Sequence, residues 1–220
     1  METIPLISLE DICFNYGGSG VLNNLSLQLK RGQKVGISGE NGAGKTTLFH
    51  IIMGLLKPVA GIIKIFDKLV EKQEHFVEVR KKIGFLFQDS DDQLFCPTVA
   101  EDIAFGPLNL GKTHQEAQNI VTETCRMLGL HGFEERITHK LSGGEKRLCA
   151  LATIVAMEPE VFLLDEPTTG LDTKTINRLI DFLNNHSTSH IIISHNMEFL
   201  KTTTTEILYL KEGALTDIGR

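Results

Sequence analysis

Residues Gly39 to Thr46 read Gly-Glu-Asn-Gly-Ala-Gly-Lys-Thr, and Thr47 comes next. Every fixed position of G-x-x-x-x-G-K-[ST] is met. Upstream, Gln33–Ser38 (QKVGIS) reads as a short strand; downstream, Lys45–Gly54 has helical spacing, with Gly54 as its stop. A glycine loop between strand and helix lets successive backbone amides turn inward around phosphate oxygens. Lys45 then matches the charge of β- and γ-phosphates, and the Thr46 hydroxyl is a magnesium ligand. The loop residues Gly39, Glu40, Asn41, Gly42, Ala43, Gly44, Lys45, Thr46 and Thr47 are the candidate nucleotide-binding set.

Outward from the loop, strand and helix signals alternate. Val161–Leu164 (VFLL) and His190–Ser194 (HIIIS) are continuously apolar, as parallel strands covered on both faces must be. Ile83–Phe87 and Gly61–Phe66 read as further strands, and Ile207–Leu210 as the strand that closes the sheet. Ile7–Phe14 and Leu22–Leu29 alternate apolar and polar residues, which predicts an antiparallel side sheet. The region from about Thr98 to Ile137 is mostly helical; further helices are expected over Glu145–Ala156 and Thr173–Asn185. This pattern predicts an α/β domain whose ligands sit at the carboxyl ends of its strands.

Those strand ends carry chemistry. Val161–Leu164 delivers Asp165 and Glu166; the first can reach a metal, and the second can polarise a water as general base. Gln88 comes directly after Ile83–Phe87 and His195 directly after HIIIS, both placed to sense a phosphate or its metal. A second anion-binding helix start opens at Leu141-Ser142-Gly143-Gly144-Glu145.

Composition narrows the class. The 220 residues are 41% hydrophobic with net charge −6 and scattered charges, so non-specific nucleic-acid binding is not indicated. Cys13, Cys96, Cys125 and Cys149 form no C-x-x-C pair, and the eight histidines form no ligand cluster; buried, reduced thiols are expected. The start, METIPLISLED, has no cationic stretch and does not read as a signal peptide. The longest apolar runs, such as Ile51–Leu56, are too short to cross a bilayer.

Taken together, these segments resemble the ATP-binding cassette (ABC) nucleotide-binding subunits, from Ile7 to about Gly213. Walker A is GENGAGKT, the Q-loop glutamine is Gln88, the signature is Leu141–Glu145, Walker B is VFLLDE, the D-loop TTGLD ends at Asp172, and the switch histidine is His195. The resemblance implies a P-loop NTPase of RecA-like parallel-sheet core with an antiparallel β side sheet. It implies one domain over residues 1–220, with a helical subdomain at about 89–157 inserted after the Q-loop. It further implies ATP and Mg2+ as ligands, with Thr46, Gln88 and Asp165 toward the metal and Tyr16 stacking on adenine. Glu166, His195 and Gln88 would carry catalysis. Ser142, Gly143, Gly144 and Glu145 would act on the nucleotide of a second, head-to-tail subunit, either a copy of this chain or a paralogue. Glu145 stands where many relatives have glutamine.

FQDSDDQLF (Phe87–Phe95) and then TVAEDIAFGPLNLG (Thr98–Gly111) are similar to the energy-coupling-factor branch, including CbiO-type subunits of cobalt and nickel importers. That implies an ATPase driving uptake of a transition-metal ion or a vitamin, peripheral on the cytoplasmic face of the membrane. Its partners would be a transmembrane coupling component and a substrate-binding membrane subunit, with no nucleic acid. Asp91 and Asp92 are candidates for meeting arginines of the coupling component. The chain stops at Arg220, without the extension of many longer relatives, so a dimer held together without nucleotide is not expected. The alternative is an ABC ATPase with no transporter, acting in DNA repair, translation or iron-sulfur assembly. The repair type needs a long coiled coil between Gln88 and Ser142, where only about fifty residues lie without sustained heptads.

Overall fold

The computed structural model describes residues 4–217. Two sheets are built from ten strands, accompanied by seven α-helices among the described residues. The first sheet holds β1 (Ile7–Tyr16), β2 (Ser19–Leu29), β4 (Ala60–Ile65) and β5 (Lys68–Leu69) in the antiparallel order β2-β1-β4-β5. The second holds β3 (Lys34–Gly39), β6 (Ile83–Leu86), β7 (Val161–Asp165), β8 (His190–Ile193), β9 (Glu206–Lys211) and β10 (Ala214–Asp217) in the order β10-β9-β3-β8-β7-β6. All of its pairings are parallel except β9 with β10.

Residues in β7 and β8 are buried throughout, and their side chains alternate between two cores. Leu163, Ile191 and Ile193 join a core shared with α1 (Lys45–Ile52) and the antiparallel sheet. Phe162, Leu164 and Ile192 face the other way, onto a core shared with α3 (Val99–Asn109), α4 (His114–Leu128), α5 (Gly143–Val155), α6 (Thr173–Asn185) and α7 (Met197–Thr203). The period-2 pleat thus makes one strand serve two layers. The parallel core, the antiparallel side sheet and the helical insert are those expected from the sequence.

Three helices open with the same device. Thr98, Thr113 and Ser142 each accept a backbone N–H from a glutamate three residues on, and that glutamate's carboxylate takes the cap's own N–H. These boxes satisfy amides that a helix start leaves unpaired.

Several expectations are corrected. The strand at Ile207–Leu210 does not close the sheet, because β10 adds an edge beyond it. The helical region at Thr98–Ile137 is two helices, α3 and α4, separated by a turn; residues 129–137 beyond α4 are irregular. The helix α2 (Gln73–Arg80), α7 and β5 lie where the sequence predicts no element. Cys125 and Cys149 are buried, but Cys13 and Cys96 are only partly covered, so the thiols are not uniformly core residues.

Candidate functional site

The glycine loop leaves β3 and enters α1 through Gly44, whose φ of 101° is the left-handed conformation that only glycine adopts without strain. A Cβ there would also lie 2.9 Å from side-chain atoms of Val21 and Leu22. Lys45 is nearly buried, and its ammonium donates to the carbonyls of Gly39 (2.7 Å) and Glu40 (2.8 Å). Burial lowers the Lys45 pKa, while the charges of Glu166 and Asp165 oppose that shift.

Beside the loop, the Thr46 hydroxyl donates to Oδ2 of Asp165 at 2.7 Å. Asp165 is 1% exposed, and burial raises its pKa. The next residue, Glu166, sits at φ 47°, in the left-handed region that a residue with a side chain seldom adopts. Its Oε2 accepts weakly from the Ser194 hydroxyl and from the His195 backbone N–H, each at 3.4 Å. Its Oε1 is buried without a hydrogen-bond partner and lies 3.5 Å from His195 Nε2.

One cavity gathers Tyr16, Asn41, Gly42, Gly44, Lys45, Thr46, Thr47, Gln88, Asp165, Glu166 and His195. Residues singled out in the sequence therefore share one wall system, drawn from the ends of β1, β6, β7 and β8 and from the loop after β3. Gly39, Glu40 and Ala43 shape the loop without lining that cavity. Tyr16 stands at its rim, half exposed, braced edge-on against Phe14, its hydroxyl 3.5 Å from Thr47 Oγ1.

The signature is not brought to this cavity. Ser142 caps α5; its hydroxyl donates to Glu145 Oε2 at 2.8 Å, and the Glu145 N–H returns to Ser142 Oγ. Arg136 Nη1 pairs with the other carboxylate oxygen at 3.0 Å. The Ser142 amide first, and then Arg136, hold the Glu145 pKa below its usual value. Gly144 passes so close to the D-loop that a Cβ would lie 2.8 Å from the Gly170 carbonyl oxygen. Asp172 is also absent from the cavity; its carboxylate caps α6 by accepting the Thr175 N–H at 2.7 Å.

Sequence reasoning missed Val21, which lines the cavity, Ser194, which touches Glu166, and Arg147; Thr169, inside the D-loop stretch, lines the cavity without having been singled out. Arg147 is 3% exposed and donates to the carbonyls of Phe87, Gln88, Asp165 and Glu166. Burial brings its pKa down to about 10. Nothing in LSGGEKRL separates this arginine from a solvent-facing one; only its depth reveals it.

The donor set suits magnesium. A threonine hydroxyl and one carboxylate are hard oxygen donors held together, and no cluster of three or more His, Cys, Asp or Glu occurs among the described residues. Mg2+ is characteristically held by one or two carboxylates, with phosphates and waters completing its shell, rather than by an all-protein cage.

Comparison with known proteins agrees with this geometry. The family described as ABC transporter matches residues 22–169. The energy-coupling factor transporter ATP-binding protein EcfA of Methanothermobacter thermautotrophicus is 41% identical, over 97% of this chain and 70% of its own. The structure of CbiO1 from Clostridium perfringens, described as part of the ABC transporter complex CbiONQ, superposes with a TM-score of 0.84 at 32% identity, covering 96% of this chain and 87% of that one. A dimeric ATP-binding cassette in a post-hydrolysis state, bound to ADP and phosphate, gives a TM-score of 0.86 at 25% identity over 97% and 99% of the two chains. A complete phosphate loop, an acidic pair at a buried strand end and a separate signature helix thus occur in one chain with these relatives: it belongs to the ABC transporter family, as an ATP-binding subunit that hydrolyses ATP.

Proposed function

We propose that this chain is the ATPase subunit of an energy-coupling-factor importer, pairing with a second ABC subunit around two ATP–Mg and driving uptake of a transition-metal ion (cobalt or nickel) or a vitamin. In this reading residues 1–220 act as one nucleotide-binding domain, with the helical subdomain at about 89–157 as its arm. The observation that carries the pairing is that Ser142, Gly144 and Glu145 line neither cavity that Thr46 of the phosphate loop lines, while Gly143 reaches only the neighbouring one beside Gln88. A helix start capped in this way and absent from its own chain's cavity is free to complete a partner's.

Within that assembly the chain's residues divide the work. Lys45 leaves the Gly39 and Glu40 carbonyls for the β- and γ-phosphate oxygens. Tyr16 offers its exposed ring to the adenine. Thr46 and Asp165 would hold Mg2+, with Gln88 beside them; the ion neutralises charge developing on the phosphate oxygens. Glu166 Oε1, buried and without a hydrogen-bond partner, is the acceptor left for the proton of an attacking water, and His195, whose Nε2 lies 3.5 Å from it, meets the γ-phosphate. Ser142, Gly143, Gly144 and Glu145 of the second subunit close the site and exclude bulk water. Asp172 braces the same seam from the start of α6.

The importer branch is supported by the relatives above and by a groove flanking the Q-loop. Leu55, Phe95 and Phe105 are 49%, 66% and 48% exposed around it, with Phe95 and Phe105 edge to face at 4.8 Å. Asp92 lines the groove, and so does the buried Asp102, whose Oδ2 has no partner. An apolar groove that holds two acids, the exposed Asp92 and the buried Asp102, against one cation, Arg80, fits a cytoplasmic helix of a membrane protein that carries an arginine. Asp91 is less suited than the sequence implied, because Lys146 already holds its carboxylate at 2.6 Å. No helix among the described residues is long and apolar enough to cross a membrane, so this docking would place the chain on the cytoplasmic face.

The test is affinity purification of the tagged chain from detergent-solubilised membranes. An integral membrane coupling protein should co-purify, and Phe105→Asp should release it while leaving basal ATP hydrolysis in place. Recovery of soluble partners alone would favour the ABC ATPase with no transporter. Uptake assays with the recovered complex then separate metal ion from vitamin.

A further inference from the structure

Arg147 lies one turn into α5, behind the signature, and is the most deeply buried arginine described. Its guanidinium reaches two segments distant in sequence. Nη1 donates to the carbonyls of Phe87 and Gln88, and Nη2 to those of Asp165 and Glu166. Nε has no acceptor. The side chain therefore grips backbone at the Q-loop glutamine and at the two Walker B acids. On the same helix, Lys146 ties Asp91 just beyond.

We propose that Arg147 is a positioning residue that locks the Q-loop and the end of β7 to the signature helix, so that Gln88 and Glu166 take their working places together. The proposal rests on the roles given above to Gln88 and Glu166. A buried cation is costly unless it is well hydrogen-bonded, and the planar fork of arginine serves four carbonyl oxygens that a lysine ammonium, a point charge with three donors, cannot span in the same plane. The charges of Asp165 and Glu166 also attract the guanidinium, which opposes the effect of burial on its pKa. Because α5 carries both Ser142 and Arg147, any displacement of the signature helix moves the carbonyls of Gln88 and Glu166 with it. Displacements near 1 Å are enough to cost a reaction about 10²-fold.

The experiment is a double-mutant cycle in the full chain with Arg147→Lys and Gln88→Ala, read as kcat and KM for ATP. Arg147→Lys should lower kcat by about 10- to 100-fold with KM within threefold, a split expected when geometry rather than nucleotide binding is lost. The double variant should fall little below the worse single one, since residues that act together are not additive. Parental kcat in Arg147→Lys, or losses that multiply when Gln88→Ala is itself impaired, would overturn the proposal. Parental kcat in Gln88→Ala with low kcat in Arg147→Lys would fault the role of Gln88, and would leave Arg147 acting through the Glu166 carbonyl. Amide exchange supplies the second reading: faster exchange confined to residues 87–91 and 165–168 supports positioning. Exchange raised alike in α4, or loss of the fold, would make Arg147 merely structural and overturn the proposal.

Discussion

The Thr46 hydroxyl donates to Asp165 Oδ2 over 2.7 Å, though 119 residues separate them in the chain. This bond joins the first turn of α1 to the end of β7. It gives a buried carboxylate a partner. Thr46→Val keeps the shape and removes the hydroxyl. Leaving a buried acceptor unsatisfied costs about 1–3 kcal/mol. Urea unfolding without nucleotide should show that loss, and magnesium-dependent turnover should fall as well. An unchanged midpoint would mean that the bond carries no stability.

In the proposed function Lys45 meets the phosphates, and Lys45→Ala removes that charge. Removing one preorganised donor from a transition state lowers kcat by about 10²–10³-fold. Steady-state ATP hydrolysis is the measurement, and parental turnover would refute the phosphate assignment of the loop.

Glu166→Gln keeps the shape beside Ser194 and His195 but cannot take a proton. ATP should bind and stay, and dimers should accumulate in size-exclusion runs with ATP and magnesium. Hydrolysis at the parental rate would show that another group is the base.

In the proposed pairing the signature meets a second subunit, and Ser142→Arg places a long cation at that point. It also deletes the cap of α5, which costs about 1 kcal/mol. Monomer nucleotide affinity should hold while ATP-driven pairing and turnover are lost. A large fall in monomer affinity would mean that the signature serves its own chain's nucleotide.

His190 is fully buried in β8, with Nδ1 2.9 Å from Ser187 Oγ and Nε2 2.8 Å from the Thr203 carbonyl oxygen. Burial drives its pKa down to about 4. The unfolded chain takes up this proton near pH 6.5, whereas the folded chain resists it until about pH 4. The contribution is therefore complete above pH 6.5 and shrinks as pH falls from there toward 4. Between pH 7.5 and 5 the linkage amounts to about 2 kcal/mol. His190→Gln should flatten that part of the stability curve in urea titrations; a slope identical to the parent's would assign it to other groups.

Legibility in the sequence tracks local chemistry. The helix over Thr173–Asn185 is legible with its observed bounds, because its apolar stripe is regular and Asp172 caps it. The helix α2 is not, since only Phe76 and Val79 are buried along it and no stripe forms. The helix α7 ends in a run of threonines, weak helix formers, held there by packing of Phe199 and Leu200. At the edge, β10 is four residues long with none buried, too little for an alternation to show.

The sequence by itself determined the phosphate loop, the acids at the end of a buried strand, and the signature helix start. Each is a property of neighbours along the chain: a glycine that permits a turn, a buried strand whose end presents two acids, a serine and two glycines that open a helix. Only the tertiary structure decided that Thr46 meets Asp165, that Glu166 Oε1 is left buried and unpaired beside His195, and that Arg147 holds two distant backbones. It alone kept Ser142 out of the cavity of its own chain. Those relations depend on strand order and helix packing, which set distances between residues that no local propensity connects.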